Sequence, residues 1–479
     1  MSEINLQLFP KQNAALYSQA NEILYGGAAG GGKSHLMRVA AITWCYLIPN
    51  LQVYLLRRLS TDLYKNHMEG VHGFNNLLDP WVKSGFVQII QPGTVRFSNG
   101  ARIFLSHCQY EHNVTQYQGT DIHVLMIDEL THWTEPMYEF LRGRCRAVGI
   151  NIPDQLRDTG VTFPRILCGS NPGSVGHNWV KAAFVDRTNN GKDLVRTEKA
   201  EGGMLRGYIP ARVDDNPALM EDDPTYLDRL EGLGNPELIR AMREGDWNIV
   251  AGGMFDDVWN PQAIILRPFK LPPTWRLNRS FDWGESAPFS VGWWAETDDS
   301  EVEIAPGIFK TFYPGSLVRF AEWYGWNGKP NTGCKLPVTE IAHGILQRES
   351  QMEIRGIVEK GPADSAIFGI HEGSSMAERM QSIGVGWTKA DKRPGSRING
   401  WVKMREMFGN SSQIPMEGPG LFCFDTCTHF IRTIPTLPRK QGNLEDVDTE
   451  AEDHVGDETR YRVWRKKASL GVIRTSGVL

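Results

Sequence analysis

Apolar residues in the first half of the chain fall into short unbroken runs that end on polar residues. Ile23-Leu24-Tyr25, Val124 to Ile127, and the stretches 52–58 and 165–173 all have this form. Runs of that length suit central strands of a parallel sheet with both faces covered. The stretch HLMRVAAITWCYL (35–47) instead spaces its apolar residues for a helix. VRFSNGARIFL (95–105) predicts a hairpin turning on Asn99-Gly100. In the second half, residues 279–296 predict two antiparallel strands with Asp282 inside the first. Residues 354–368 predict a short strand before a turn carrying Asp364, and EDHVGDETRYRVWRKK (452–467) predicts a helix.

Glycine and proline mark a boundary between these halves. AGGMF (251–255) and the two prolines of LPPTW (271–275) are consistent with a break between folded units. The stretch 223–247 predicts two short helices broken at Gly234-Asn235-Pro236. The expected division is a first α/β domain over 1–255, with a small lid or linker subdomain at 214–255. A linker over 256–275 and a second α/β domain over 276–479 follow. RKQGNLEDVDTEAED (439–453), polar and acidic, predicts a mobile loop.

Composition narrows the class without naming a function. With 479 residues, 41% hydrophobic and 22% charged, the chain is long enough for two large domains or about three smaller ones. The start, MSEINLQLFPKQ, lacks the basic-then-apolar pattern of a signal peptide, and no apolar run is long enough to span a bilayer. Seven cysteines in such a chain predict reduced thiols, with Cys423, Cys427 and His429 as core residues rather than a zinc site. A net charge of −5 excludes a chain coated in nucleic acid. Any such contact falls to local patches: Arg57-Arg58, Arg142 with Arg144 and Arg146, the segment 389–397, and Arg460, Arg462, Arg465, Lys466 and Lys467.

The first candidate chemistry lies between the first strand and the first long helix. YGGAAGGGKS (25–34) fits G-x-x-x-x-G-K-[ST], with Gly27, Gly32, Lys33 and Ser34 at the fixed places. Glycines, here including Gly30 and Gly31, let successive backbone N–H groups turn toward phosphate oxygens, and the helix start adds its positive dipole end. Lys33 would reach the β- and γ-phosphates, and Ser34 would place a hydroxyl on Mg²⁺. A second acidic element should follow on a buried strand, and Asp128-Glu129 supplies it after Val124 to Ile127. Asp128 can organise Mg²⁺ and Glu129 can polarise the attacking water. Asn171, at the carboxyl end of another strand, reads either as a γ-phosphate sensor or as the start of the turn before Pro172.

The order LFPKQNAAL, GGAAGGGKS, YQGTDIHVLMIDE, GSNPG, IPARVDDNPAL and REGDWNIVAGGMF resembles the ATPase half of tailed-phage large terminase subunits. That family joins an additional-strand, catalytic-glutamate ATPase of the P-loop class to an RNase H-like nuclease. The resemblance implies that Gln12 contacts adenine, that Glu129 is the catalytic glutamate, and that Ser170-Asn171-Pro172 couples hydrolysis to movement. Many members carry an arginine early in the phosphate loop; Gly26 to Gly31 has none, so Arg58 or Arg144 is expected to serve.

In the second half, Asp282, Asp364 and Asp457 are separated acidic groups on a strand, a strand end and a helix. Asp453 and Asp457 stand four apart on one helical face, where like charges repel unless a cation lies between them. Two divalent ions held by oxygen ligands can support an in-line phosphodiester displacement. FDWG, GPADSA and DHVGDETRY are similar to the terminase nuclease motifs, which implies Asp282, Asp364 and Asp457 as catalytic carboxylates, with Asp453 and Glu322 auxiliary. Many relatives have Ala where this chain has Glu458, which lies beside the metals or points to solvent.

The expected protein is therefore an ATPase and metal-dependent DNA endonuclease using ATP and Mg²⁺, with Mn²⁺ as an alternative at the nuclease site. The partners that the resemblance implies are double-stranded DNA, a terminase small subunit and a portal on a procapsid. It also implies a ring when docked there, and the host cell cytoplasm as location, with no membrane. Two other readings stand beside it: a helicase-like motor with structural C-terminal carboxylates, and a non-enzymatic nucleotide-binding assembly component.

Overall fold

Six parallel strands form the centre of the first sheet: β1 (Glu22–Gly27), β2 (Gln52–Arg57), β5 (Arg102–His107), β6 (Val124–Asp128), β7 (Arg165–Ser170) and β9 (Leu205–Ala211). With β3 (Val87–Ile90), β4 (Thr94–Phe97) and β8 (Val195–Arg196) antiparallel at its edges, the order is β3-β4-β5-β2-β6-β7-β1-β9-β8. This computed structural model describes residue 4 and residues 6–231, 243–248, 253–371, 373–440 and 442–464. The chain divides into two compact units. The first spans Met1–Asp257 with Pro435–Arg439 and Asp448–Ala451; the second holds Val258–Ile434, Lys440–Val447 and residues from Glu452 on.

The unbroken apolar runs are explained by two cores. Val124 and Met126 of β6 pack on one face with Leu36, Ala40 and Trp44 of helix α2 (Lys33–Leu47). Leu125 and Ile127 face the other way, toward Trp133, Tyr138 and Phe184. Each residue along the strand is therefore buried, whichever side it points to. β7 lies between β1, which leads into the glycine loop, and β6, which ends on Asp128. That is the additional-strand order expected above, and it brings the carboxyl ends of three strands to one edge.

The 95–105 hairpin is present, its strands β4 and β5 joined through Asn99-Gly100 with Gly100 at φ 87°. Pro217–Asp222 and Tyr226–Glu231 are helical, but Gly234-Asn235-Pro236, Gly252 and the basic residues from Arg465 to Lys467 lie outside the described residues. Part of the 256–275 stretch is ordered in the second unit. Pro261–Ile264 is a helical turn capped by Asn260 and runs into β10 (Ile265–Leu266).

The second sheet is mixed. β11 (Arg276–Asp282), β12 (Ser290–Glu296) and β15 (Leu317–Tyr324) form an antiparallel meander. The hairpin β13 (Glu301–Ala305) and β14 (Ile308–Thr311) interrupts it in sequence. β16 (Pro362–Ala363) and β19 (Thr388–Lys389) continue the sheet in parallel on one side, with β20 (Leu421–Phe424) and β10 on the other. The order β10-β20-β15-β12-β11-β16-β19 contains three antiparallel strands followed by two parallel ones, which is the RNase H-like arrangement. Between β16 and β19 the chain makes the small ladder of β17 (Ile370–His371) and β18 (Ser374–Ser375). The helix His454–Val463 packs across β11, β12 and β16.

Three local expectations change. Asp282 is the last residue of β11, not an interior one. Asp453 precedes the final helix as its cap residue, and Asp457 lies one turn inside it. The stretch 439–453 is not a featureless loop: β21 (Arg439–Lys440) and β22 (Asn443–Val447) pair around Gly442, which sits at φ 83°. Asp446 of β22 accepts from Arg397 Nε at 2.7 Å and Trp401 Nε1 at 3.1 Å, which ties this acidic strand to the helix Ser396–Ser411.

Candidate active sites

Five carbonyl groups of the glycine loop are occupied by the protein. Tyr208 Oη donates to Gly26 O, Lys33 Nζ to Ala28 O, Asn216 Nδ2 to Gly30 O, Tyr25 Oη to Gly31 O and Gln12 Nε2 to Gly32 O, all at 2.7–3.1 Å. Ala28 N is bonded to Ala211 O. Among the described residues, no acceptor takes the N–H groups of Ala29, Gly30, Gly31 and Gly32. A loop whose acceptors are satisfied and whose donors are not is built for an anion. Gly32 precedes α2 at φ 74°, and a side chain there would strike Gln12. Gln12 is fully buried: its Oε1 accepts from Phe9 N and its Nε2 fixes the loop, so it ties α1 (Pro10–Leu16) to Gly32.

Lys33 is buried at the first turn of α2, and its second bond goes to Asn171 Oδ1 at 2.5 Å. Burial lowers its pKa, against the charges of Glu129 and Asp128, which raise it. Asn171 directly follows β7, and its carbonyl accepts from Thr131 Oγ1 at 3.1 Å. Thr131 also bonds Ser170 Oγ through its N–H at 3.0 Å and its hydroxyl at 2.9 Å. Lys33, the end of β7 and the residues after Glu129 thus form one connected set. Glu129 itself has φ 57°, left-handed for a non-glycine residue, where β6 gives way to a short turn.

Asp128 is buried beside two residues of other elements. Arg57 Nε, at the end of β2, stands 2.9 Å from its Oδ2, and His67 Nε2, at the end of α3 (Ser60–His67), stands 3.1 Å away. Burial raises the Asp128 pKa, but the His67 hydrogen bond and the Arg57 and Lys33 charges outweigh it and hold the carboxyl at about 2. Burial keeps the His67 pKa below its ordinary value, against the Asp128 hydrogen bond and charge, which raise it. Arg57 also approaches Glu129 Oε1 at 3.6 Å. The guanidinium at these carboxylates is therefore Arg57's. Arg58 donates to His132 O and Arg144 lies over the Phe140 ring. Among the described residues, Asp128 Oδ1 has no donor. A buried carboxylate oxygen left bare at the strand end, with Ser34 on the facing helix, is a donor set that fits a hard cation.

The second unit brings its predicted aspartates together. Phe281 of β11 pairs with Ala363 of β16, so Asp282 and Asp364, each the next residue, stand side by side. Asp364 N donates to Phe281 O at 2.9 Å, and its Oδ1 caps Ala366 N at 2.9 Å. Asp457 and Asp453 face them from the last helix. Burial, opposed by the His454 hydrogen bond and assisted by the charges of Asp457 and Asp364, raises Asp282 to about 6. Burial and the neighbouring Asp457 raise Asp453 to about 7. His454, although burial disfavours its charge, is raised to about 9 by its Asp282 bond and by Asp453.

Cations hold this cluster. Lys392 reaches Asp364 at 2.5 Å, and His454 Nδ1 lies 3.5 Å from Asp282. Arg397 Nη1 bonds both Asp457 oxygens at 3.0 and 2.9 Å, and its Nη2 stands 3.3 Å from Asp453. Among the described residues, no group of three His, Cys, Asp or Glu side chains forms a ready metal shell. The donor chemistry nonetheless suits Mg²⁺ or Mn²⁺: hard carboxylate oxygens whose mutual repulsion already raises Asp282.

Glu322 and Glu458 belong elsewhere. Glu322 accepts from His429 N and Phe430 N and lies 3.4 Å from Arg319 Nε. Glu458 is buried against Arg319, Ser280 and Trp294, so it neither joins the aspartates nor faces solvent. Arg460 and Arg462, expected as a surface patch, turn inward to Asp457 and to Asn278 with Glu296. Cys423 and Cys427 are buried free thiols. Sequence reading missed His67 and His454, and it offered Arg57 and, within 389–397, Lys392 and Arg397 as basic patches rather than as partners of the site carboxylates.

No family model matches the chain, and no curated protein does. Solved structures of phage large terminases match most of it. The large terminase of a thermophilic bacteriophage is 15% identical, with a TM-score of 0.39 over 95% of this chain and 98% of that one. The HK97 bacteriophage large terminase is 11% identical, with a TM-score of 0.42 over 96% and 95%. The P22 large terminase nuclease domain is 15% identical, with a TM-score of 0.30 over 44% of this chain and 90% of that domain. Likeness at this level assigns no residue a role.

Proposed function

We propose that the chain is a phage large terminase, an ATP-driven translocase that packs double-stranded viral DNA and cuts the concatemer. One observation carries this reading. A single chain holds an additional-strand sheet with Lys33, Asp128 and Glu129 at one edge, and an RNase H-like sheet with Asp282, Asp364 and Asp457 at the ends of its own elements.

In the motor, the open N–H groups of residues 29–32 and the start of α2 would bind the phosphates. Lys33 would pass from Asn171 to the phosphate, and Gln12 would lie near the base. Ser34 and Asp128 would hold Mg²⁺ there, and Asp282, Asp364 and Asp457, with Asp453 auxiliary, would hold Mg²⁺ or Mn²⁺ at the nuclease site; the ions supply charge neutralisation at the reacting oxygens. Glu129 takes the proton of the attacking water, its backbone conformation aiming it from the strand end. His454 and Arg397 offset the charge of the carboxylates where the metal ions would bind. The partners under this reading are a terminase small subunit and a portal on a procapsid, in the host cell cytoplasm. No helix among the described residues is long and apolar enough to cross a membrane.

The cations on Asp364, Asp453 and Asp457 favour a second reading, a helicase-like DNA-dependent ATPase whose C-terminal carboxylates are structural. One experiment separates them: ATP turnover with linear duplex DNA, and nicking of plasmid with Mg²⁺ or Mn²⁺, on the purified chain. Both activities are expected. DNA-stimulated turnover without nicking under either ion selects the second reading, and absence of turnover overturns both.

A further inference from the structure

The second unit has a groove that none of the candidate catalytic residues lines. It lies between the β13–β14 hairpin, the 411–416 loop and residues 260–266, and encloses about 840 Å³. Leu266, Ile304, Phe309, Phe312, Pro415 and Met416 make its walls largely apolar. Phe309 is 58% exposed and Ile414, at the rim, 98% exposed. Large apolar side chains gathered around a concavity mark a docking surface more often than scattered ones do.

One cation enters this groove. Lys310 of β14 is half-buried, with its ammonium 5.0 Å from the Phe312 ring centroid and 4.7 Å from that of Phe422. Among the described residues it has neither a hydrogen-bond acceptor nor a carboxylate partner, although Asp299 also lines the groove. Aromatic faces stabilise an ammonium only in part, and burial draws this one below its ordinary pKa. A lysine half out of water and unpaired is completed by an anion. The apolar walls and the single cation are a poor match for a phosphate backbone, which is held by several cations in a polar setting.

We propose that this groove docks an apolar segment of a partner protein, with one carboxylate of that segment seated on Lys310. The proposal does not depend on the activity of either candidate site. Fluorescence anisotropy of the full chain with a fluorescein-labelled synthetic peptide, Leu and Phe residues flanking a central Asp, tests it. Saturable binding is expected. Replacing the peptide Asp by Asn, or Lys310→Met in the chain, should each weaken it about tenfold, as for loss of one charge-assisted bond. Ile414→Asp, on a side chain the fold does not bury, should weaken it too. Lys310→Glu should reverse the preference toward a peptide with Lys at the centre. Absence of saturable binding, or equal affinity of the parent for the Asp and Asn peptides, overturns the proposal. The peptide comparison uses only the parent chain, so it decides even if a Lys310 variant fails to fold.

Discussion

Replacing Glu458 should unfold the second unit more readily without touching its aspartate cluster. Glu458 projects from the last helix into the sheet, where it and Arg319 are both completely buried. Gly292 of β12 leaves the space for them, since a side chain there would meet both. Glu458→Ala strips Arg319 of its main partner, leaving Glu322 at 3.4 Å from Nε. An uncompensated buried charge costs about 3–5 kcal/mol, and the remaining Glu322 puts this case toward the lower end. Ser280 Oγ loses its acceptor as well, at about 1 kcal/mol, while Trp294 Nε1 still donates to Ser280 Oγ at 2.7 Å. Taking partial relaxation into account, the loss should be about 4 kcal/mol, a quarter or more of an ordinary domain stability of about 5–15 kcal/mol. Glu458→Gln keeps an acceptor for both donors and should cost about 2 kcal/mol. Urea unfolding of the full chain followed by tryptophan fluorescence reads this directly, because Trp294 sits in the network. With a slope of about 2–3 kcal/mol per molar, the Ala variant's midpoint should fall by about 1.5 M. A loss below about 1 kcal/mol in Glu458→Ala would refute the view that this pair is the keystone of the sheet. DNA cleavage per folded molecule should be unchanged in Glu458→Gln.

Glu129→Gln should lower ATP turnover by about two orders of magnitude or more while leaving ATP affinity near parental; normal turnover in that variant would remove Glu129 from its role. Asn171→Ala should change ATP affinity less than it changes DNA-stimulated turnover, which parallel titrations measure. Asp282→Ala, Asp364→Ala and Asp457→Ala should each lower plasmid nicking by orders of magnitude, combine well short of additively, and spare ATP hydrolysis. Ca²⁺ should bind without supporting cleavage, and parental nicking by Asp282→Ala with Mn²⁺ would contradict the metal assignment. The aspartate cluster also predicts a pH dependence. His454 is raised to about 9, so its contribution is complete below its ordinary pKa and disappears as pH climbs toward 9. Asp453 is raised to about 7, so the folded state also loses stability as pH rises from the ordinary carboxylate range to 7. The urea midpoint of the parent should therefore fall from pH 5 to 9, and His454→Gln should flatten its upper part.

The candidate site of the first unit was legible because its residues lie close together in sequence. Gly27 to Ser34 and Asp128-Glu129 announce themselves within a few residues, and buried parallel strands leave unbroken apolar runs. The candidate site of the second unit is assembled from distant pieces. Asp282 and Asp364 meet only because β16 lies beside β11, a pairing that no spacing in the chain encodes. Arg57 read as a surface cation because its partner Asp128 is on another strand. Residues 439–453 read as mobile from their acidity, but Asp446 is held by Arg397 from a helix some fifty positions earlier. Glu458 read as metal-facing or solvent-facing because the residues that hold it, Arg319, Ser280, Ser290 and Trp294, are far off in sequence. Buried ion pairs are invisible to periodicity, since each partner alone looks like a surface residue.

Under the proposed function, the bond from Lys33 to Asn171 would make the glycine loop a detector as well as a cradle. The ammonium has three protons; one is fixed on Ala28 O inside the loop and another on Asn171 Oδ1 at the end of β7. An arriving phosphate would compete for the second, and whatever it took would be lost by Asn171. Asn171 is in turn fastened through its carbonyl to Thr131, two residues beyond Glu129. Site occupancy would thus be felt two strands away, at the segment that carries Glu129, before any bond of the nucleotide is broken.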